Sequence, residues 1–137
     1  MTDMGFLERA YLTPSIYQEY VPHVREVRAT VIGEEVVAAE IAKGSPKDLW
    51  ERPDEVGVRP HDLPAQVRGS LLRFLGLARL EYGAFDLLLT EEGRYVFLEV
   101  NPIGDWAWLE SKCSSVQVMD KIVSYVSNLL EESELCG

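Results

Sequence analysis

Asp86, Glu99 and Asn101 are oxygen-bearing side chains set in apolar runs, where a strand normally carries β-branched or aromatic residues. A bare carboxylate in such a place is costly unless a cation or a hydrogen-bond donor meets it. The chemistry these three could do is to hold a hard divalent cation. Mg²⁺ takes oxygen ligands, usually one or two carboxylates completed by phosphate, whereas structural Zn²⁺ sites prefer Cys and His. Whether the three meet depends on a hairpin. Leu87 to Thr90 and Arg94 to Leu98 read as its strands, and Glu92-Gly93 supplies a glycine where a tight turn needs positive φ. A two-residue loop pairs Glu91 with Arg94, sets Asp86 opposite Glu99, and leaves Asn101 on the same face by the period of two. A three-residue loop would turn Asp86 and Glu99 to opposite faces unless a bulge restored them. The alternative is a solvated hairpin face with chance acids. Against it, Glu99 stands between Leu98 and Val100 and is followed by Asn101-Pro102, a strand end rather than an open polar face.

The rest of the chain supplies the support. Ile16 to Pro22 reads as a short strand ended by proline, and Glu26 to Ile41 as two apolar strands joined through Gly33. Ala42 to Leu63 is irregular, broken by Pro46, Pro53, Pro60, Gly44 and Gly57, and a loop of that length is usually functional or mobile. Pro64 opens a helix with Val67, Leu71, Phe74, Leu75 and Ala78 on one face. A second helix starts near Ser115, with Met119, Ile122, Val123, Val126, Leu129 and Leu130 at helical spacing, and both stripes read as core. The expected fold is α+β: an antiparallel sheet from strands at about 16 to 41 and 82 to 101, covered on one face by the two helices.

At 137 residues and 47% hydrophobic content the chain suffices for one core, and no repeat or linker divides it. No N-terminal apolar segment and no window of ~18 apolar residues occurs, so a cytoplasmic location and no membrane partner are expected. Cys113 and Cys136 are isolated and read as free thiols. A net charge of -10 repels nucleic acid and leaves contact with any phosphate chain to a metal.

Phe97-Leu98-Glu99-Val100-Asn101-Pro102 followed by Gly104-Asp105-Trp106-Ala107-Trp108-Leu109-Glu110, preceded by the Gly83-Ala84-Phe85-Asp86 strand, resembles the C-terminal portion of ATP-grasp ligases. The likeness is strongest to the maturases of ribosomally made peptides (microviridin- or graspetide-type ligases), with ribosomal protein S6 glutamate ligases more distant. The resemblance implies that Asp86, Glu99 and Asn101 hold Mg²⁺ against the phosphates of ATP. It likewise implies that Gln18-Glu19-Tyr20-Val21 lies on the strand that seats adenine, backbone groups of Glu19 and Val21 reading the purine edge. Arg28 matches the arginine of the family's Asp-x-Arg strand, with Glu26 where Asp is usual. It would face phosphate or the acceptor carboxylate; the other reading is a surface arginine paired with Glu26 or Glu40. The family's Asp-Trp-Arg element is spread out here as Asp48-Leu49-Trp50-Glu51-Arg52, so Arg52 is either a phosphate ligand or a solvated arginine.

The family's phosphate-binding lysines lie on an N-terminal subdomain, and Lys43, Lys47, Lys112 and Lys121 match none of them. Residues 1–137 therefore read as a partial ATP-grasp domain. Two functions follow. The chain is a piece of an ATP- and Mg²⁺-dependent carboxylate-amine or carboxylate-hydroxyl ligase, acting on a peptide or amino-acid acceptor through an acyl phosphate and completed by a separate N-terminal chain or a second copy. Alternatively it is a non-catalytic remnant serving as a binding module. Trp106 and Trp108 either mark an apolar face left for such a partner or pack beneath the strand end.

Overall fold

A computed structural model describes residues 18–45 and 47–135. Ile16, Tyr17 and Cys136 lie outside it. Five strands, β1 (Arg25–Ile32), β2 (Glu35–Ala42), β3 (Gly57–Pro60), β4 (Tyr82–Leu89) and β5 (Tyr95–Asn101), form one antiparallel sheet in the order β3-β2-β1-β4-β5. The helices are α1 (Asp48–Glu51), α2 (Ala65–Ala78), α3 (Ala107–Lys112) and α4 (Val118–Leu135). Among the described residues no helix is long and apolar enough to cross a membrane.

Alternation along the strands separates two cores. On one face Val27, Ala29 and Val31 of β1 join Phe85 and Leu87 of β4 against Leu71 and Leu75 of α2. On the other, Ile32, Ala39 and Ile41 meet Leu109 of α3, Val116, and Val118 at the start of α4. The helices thus cover opposite faces rather than one, which corrects the sequence expectation. Parity is the reason: every strand except the edges must bury both sets of alternate side chains, and one layer of helices cannot reach both.

The stripe of α4 is corrected too. Val118, Ile122 and Tyr125 pack inward, while Met119, Val123, Val126, Leu129 and Leu130 remain 45%, 54%, 47%, 47% and 61% exposed. Gln18 to Pro22, expected as strand, is not in the sheet, and the irregular stretch contains the short edge strand β3. Trp106 and Trp108 pack against the second core, as the packing reading had it. Just ahead of α3, Asp105 Oδ1 accepts the Ala107 N–H at 3.1 Å, and Glu110 Oε1 accepts the Met119 N–H at 2.6 Å, fixing α4 to α3.

Candidate functional site

The β4–β5 hairpin settles the position of the carboxylates by a route the turn alone does not give. Its loop has three residues, Glu91 to Gly93: Thr90 donates its N–H to the Arg94 carbonyl at 2.9 Å, and Gly93, at φ 76°, donates to the Thr90 carbonyl at 3.0 Å. This replaces the expected two-residue loop. Leu89 pairs with Tyr95 and Leu87 with Phe97, a register that carried onward would set Asp86 opposite Leu98. An irregularity between Asp86 and Leu87 passes over Leu98 and returns Glu99 to a position opposite Asp86, with Asn101 opposite Ala84. A β-bulge of this kind adds one residue to one strand, which compensates the odd residue in the loop.

Arg28 stands directly opposite Asp86 on the neighbouring strand. Arg28, Asp86 and Glu99 therefore form one row across β1, β4 and β5, on the face that carries α3. Arg28 Nε lies 2.9 Å from Asp86 Oδ1. Its N–H does not point along that line, so the contact is an ion pair and the buried Nε has no hydrogen-bond partner. Of the two readings of Arg28, neither Glu26 nor Glu40 is its partner: Glu26 takes Lys43 at 2.7 Å and Glu40 takes Arg25 and Arg59. Asn101 donates its side-chain N–H to Glu99 Oε1 at 3.1 Å.

Burial pushes the Asp86 carboxyl up; the Arg28 guanidinium opposes this, and the Glu99 charge, a hydrogen bond shared with Glu99 and the Glu26 charge add to it, leaving a pKa of about 6. Two carboxylates facing one guanidinium hold one more negative charge than they can neutralise.

The row opens into two adjoining clefts, of about 360 Å³ and 480 Å³, which share Arg28, Leu49 and Trp108. The first also takes in Asp86, Glu99, Gln18 and Lys43, and the second Asn101, Gly104 and Lys112. Of the residues expected to seat adenine, Gln18 reaches the cleft, Tyr20 is 77% exposed, Glu19 is exposed, and the Val21 carbonyl lies 2.9 Å from His23 Nδ1. Arg52 is not brought to the row: its guanidinium engages Asp48 at 2.7 Å and Glu55 at 2.8 Å within its own segment.

Two side chains of the site were not assigned to it from the sequence, Lys43, read only as matching no phosphate-binding lysine, and Tyr82. Lys43, 11% exposed, follows Ile41 by two residues and so shares its face, which strand parity could have shown. Tyr82 shares the parity of Asp86; its hydroxyl donates to the Gly104 carbonyl at 2.8 Å and ties down the turn after β5. Burial raises its pKa, against the lowering effect of Arg28. Gly104 carried no local signal, yet a Cβ there would sit 2.3 Å from Ala84 Cβ and 3.5 Å from Arg28 Nη1.

Among the described residues no three His, Cys, Asp or Glu side chains gather to hold a metal. The donors present are two carboxylates and an amide, an all-oxygen set that suits Mg²⁺ when phosphate oxygens and water complete its shell. The unneutralised charge at Asp86 and Glu99 fits a cation. Arg28 Nε and Thr30 Oγ1 are buried on the same face without a hydrogen-bond partner.

The sheet and its helices form the α+β fold of ATP-grasp ligases. The solved structures that match the chain are of that class and act in ribosomal peptide maturation. The macrocyclase MdnC of Microcystis aeruginosa MRC, solved with precursor peptide MdnA, is 31% identical at a TM-score of 0.74, over 92% of this chain and 40% of that one. A RiPP-associated ATP-grasp ligase of Chryseobacterium gregarium, solved with ADP and a leader and core peptide, is 27% identical at a TM-score of 0.69, over 79% and 34%. The macrocyclase MdnB of the same Microcystis is 26% identical at a TM-score of 0.62, over 91% and 45%. The chain thus spans less than half the length of each. No protein-family model and no curated protein matches it.

Proposed function

We propose that this chain supplies the Mg²⁺-holding part of an ATP-dependent carboxylate ligase for ribosomally made peptides, joining a carboxylate to an amine or hydroxyl through an acyl phosphate. The observation that carries the reading is the row Arg28–Asp86–Glu99, in which a bulge sets two carboxylates face to face in a cleft, with the Arg28 guanidinium against Asp86 on the inner side and Glu99 toward solvent. Asp86, Glu99 and Asn101 would hold Mg²⁺, which when bound neutralises the transferring phosphoryl group. Arg28 is held on Asp86 at one edge of its guanidinium and keeps further N–H groups for an oxyanion of the acceptor carboxylate or the phosphate. Lys43 adds an ammonium on the same wall. Leu49, Leu98 and Trp108 give the cleft its apolar lining. Residues 1–137 act in this reading as a partial ATP-grasp domain in a cytoplasmic enzyme. The lysines that hold the remaining phosphates lie, in this reading, outside residues 1–137.

The test is calorimetric titration of a nonhydrolysable ATP analogue with Mg²⁺ into the purified chain, with Glu99→Ala as control. Binding in the wild type that falls by at least about a hundredfold in the variant, the loss of a charged ligand, supports the reading. No binding at millimolar nucleotide would overturn it for the chain alone and favour the non-catalytic binding module.

A further inference from the structure

A cleft of about 820 Å³ lies at the far end of the sheet from the carboxylate row. Its walls come from opposite faces of the fold, the second half of α2 and the middle of α4, with the β1–β2 turn between them. The lining is apolar at depth, from Leu72, Leu75 and Leu80 on one side and Leu129 on the other. The rim is acidic. Glu34, Glu35, Glu81 and Glu132 surround it, and its one cation, Lys121, is taken by Glu35 at 3.3 Å. Tyr125 donates its hydroxyl to Glu81 Oε2 at 2.8 Å, which fixes that carboxylate at the rim. Among the described residues Glu34, Glu81 and Glu132 have no ion-pair partner. Beside the cleft runs the exposed side of α4, where Met119, Val123, Val126 and Leu130 recur at intervals of four, three and four residues. That spacing is the seam by which one helix receives another.

We infer that this cleft and the adjoining seam of α4 dock an amphipathic helix of another polypeptide, apolar along one stripe and carrying Lys or Arg beside it. The apolar lining needs a covering stripe, and three uncompensated carboxylates select its flanking charge. A second copy of the chain is the poorer occupant. It would bring a net charge of -10 to an acidic rim. The surface is separate from the carboxylate row and does not depend on its role.

A fluorescein-labelled 18-residue peptide, with leucines along one helical stripe and lysines flanking it, is the probe; the same peptide with glutamates for lysines is the control. Anisotropy with the full chain should show binding of the lysine peptide alone. Binding should weaken about tenfold or more in Glu81→Lys/Glu132→Lys and at high salt, as expected for charge-selected docking. Leu129→Gln, at a half-exposed position, should weaken it with little effect on folding, checked by circular dichroism. Glu99→Ala should leave it unchanged, which separates this surface from the nucleotide reading. The inference is overturned by no binding of the lysine peptide, by equal binding of the glutamate peptide, or by indifference to both variants. Self-association of the chain that Leu129→Gln abolishes would also overturn it, by naming a second copy as the occupant.

Discussion

Two carboxylate clusters sit on opposite faces of the same sheet, and they are balanced in opposite ways. On the α2 side Glu40, 8% exposed, receives Arg25 at 2.6 Å and Arg59 at 2.7 Å on one oxygen and faces His61 Nδ1 at 3.7 Å with the other. His61 Nε2 in turn lies 2.7 Å from the Tyr95 hydroxyl, so the cluster ties β3 and the following loop across the sheet to β5. One anion is met there by two full cations. On the α3 side Asp86, 24% exposed, pairs with the one guanidinium of Arg28, and Glu99 beside it takes, among the described residues, only the Asn101 amide. Partnered charge stabilises and unpartnered charge costs, so the Glu40 cluster fastens the fold, while the Asp86–Glu99 row holds repulsion that the proposed Mg²⁺ would relieve. That division is expected where a site keeps strain for its ligand.

Substitutions in the two clusters should separate their roles. The largest effect is expected from Gly104→Ala. Its methyl would collide with Ala84 beneath the row, costing about 3 kcal/mol of stability as an overpacked contact, together with Mg²⁺-nucleotide binding. Denaturant titration and calorimetry read both losses, and an intact row at wild-type stability would refute the assigned role of the turn.

Glu40→Gln comes next. It should lower stability by about 2 kcal/mol, the scale of hydrogen bonds to charged partners, and leave nucleotide affinity as it was. A loss of affinity there would mean that the two faces are coupled.

Asp86→Asn should act in the reverse sense. The Asp86 pKa of about 6 lies above the ordinary 3.8, so the folded protein binds this proton more tightly than the unfolded chain does. Its contribution to stability is complete below about pH 3.8 and is lost as pH rises through about 6. Urea midpoints of the wild type measured across that window without divalent cation should carry this downward component, and Asp86→Asn should lack it. A component of the opposite sign would show that Arg28 outweighs burial and Glu99.

Tyr95→Phe gives the smallest effect, about 1 kcal/mol for one hydrogen bond to His61. Burial and the Glu40 charge raise the Tyr95 pKa, which keeps its proton in place at neutral pH.

Much of the row was legible in the chain. The period of two joins Glu99 to Asn101 and Ile41 to Lys43, and Gly33 and Gly93 mark the turns that bring their strands together. The alternating apolar residues of β1, β2 and β4 announced the sheet, and the first turn of α2 falls next to Pro64 as expected. The partners of Arg28 and Arg52 were not legible, because an arginine side chain can reach several acids and the choice depends on which strands adjoin. Asp48 is buried and takes the Ser45 N–H at 2.7 Å as well as Arg52, which holds that guanidinium in its own loop. The exposed seam of α4 defeated a reading from periodicity alone, since helical spacing shows that a stripe is apolar and not what lies against it.

The residue types of the site, the parity that puts Glu99 and Asn101 on one face, and the two hairpins depend on neighbours within a few residues and are written in the chain. That Leu98 is passed over so that Asp86 meets Glu99, that β4 lies beside β1 so that Arg28 joins them, and that the helices divide between the faces emerges with the folded sheet. Those outcomes rest on packing between strands distant in the chain. Phe85 and Leu87 must stay buried against α2 while their neighbour Asp86 opens onto the cleft, and the bulge in β5 is how the hairpin meets both demands.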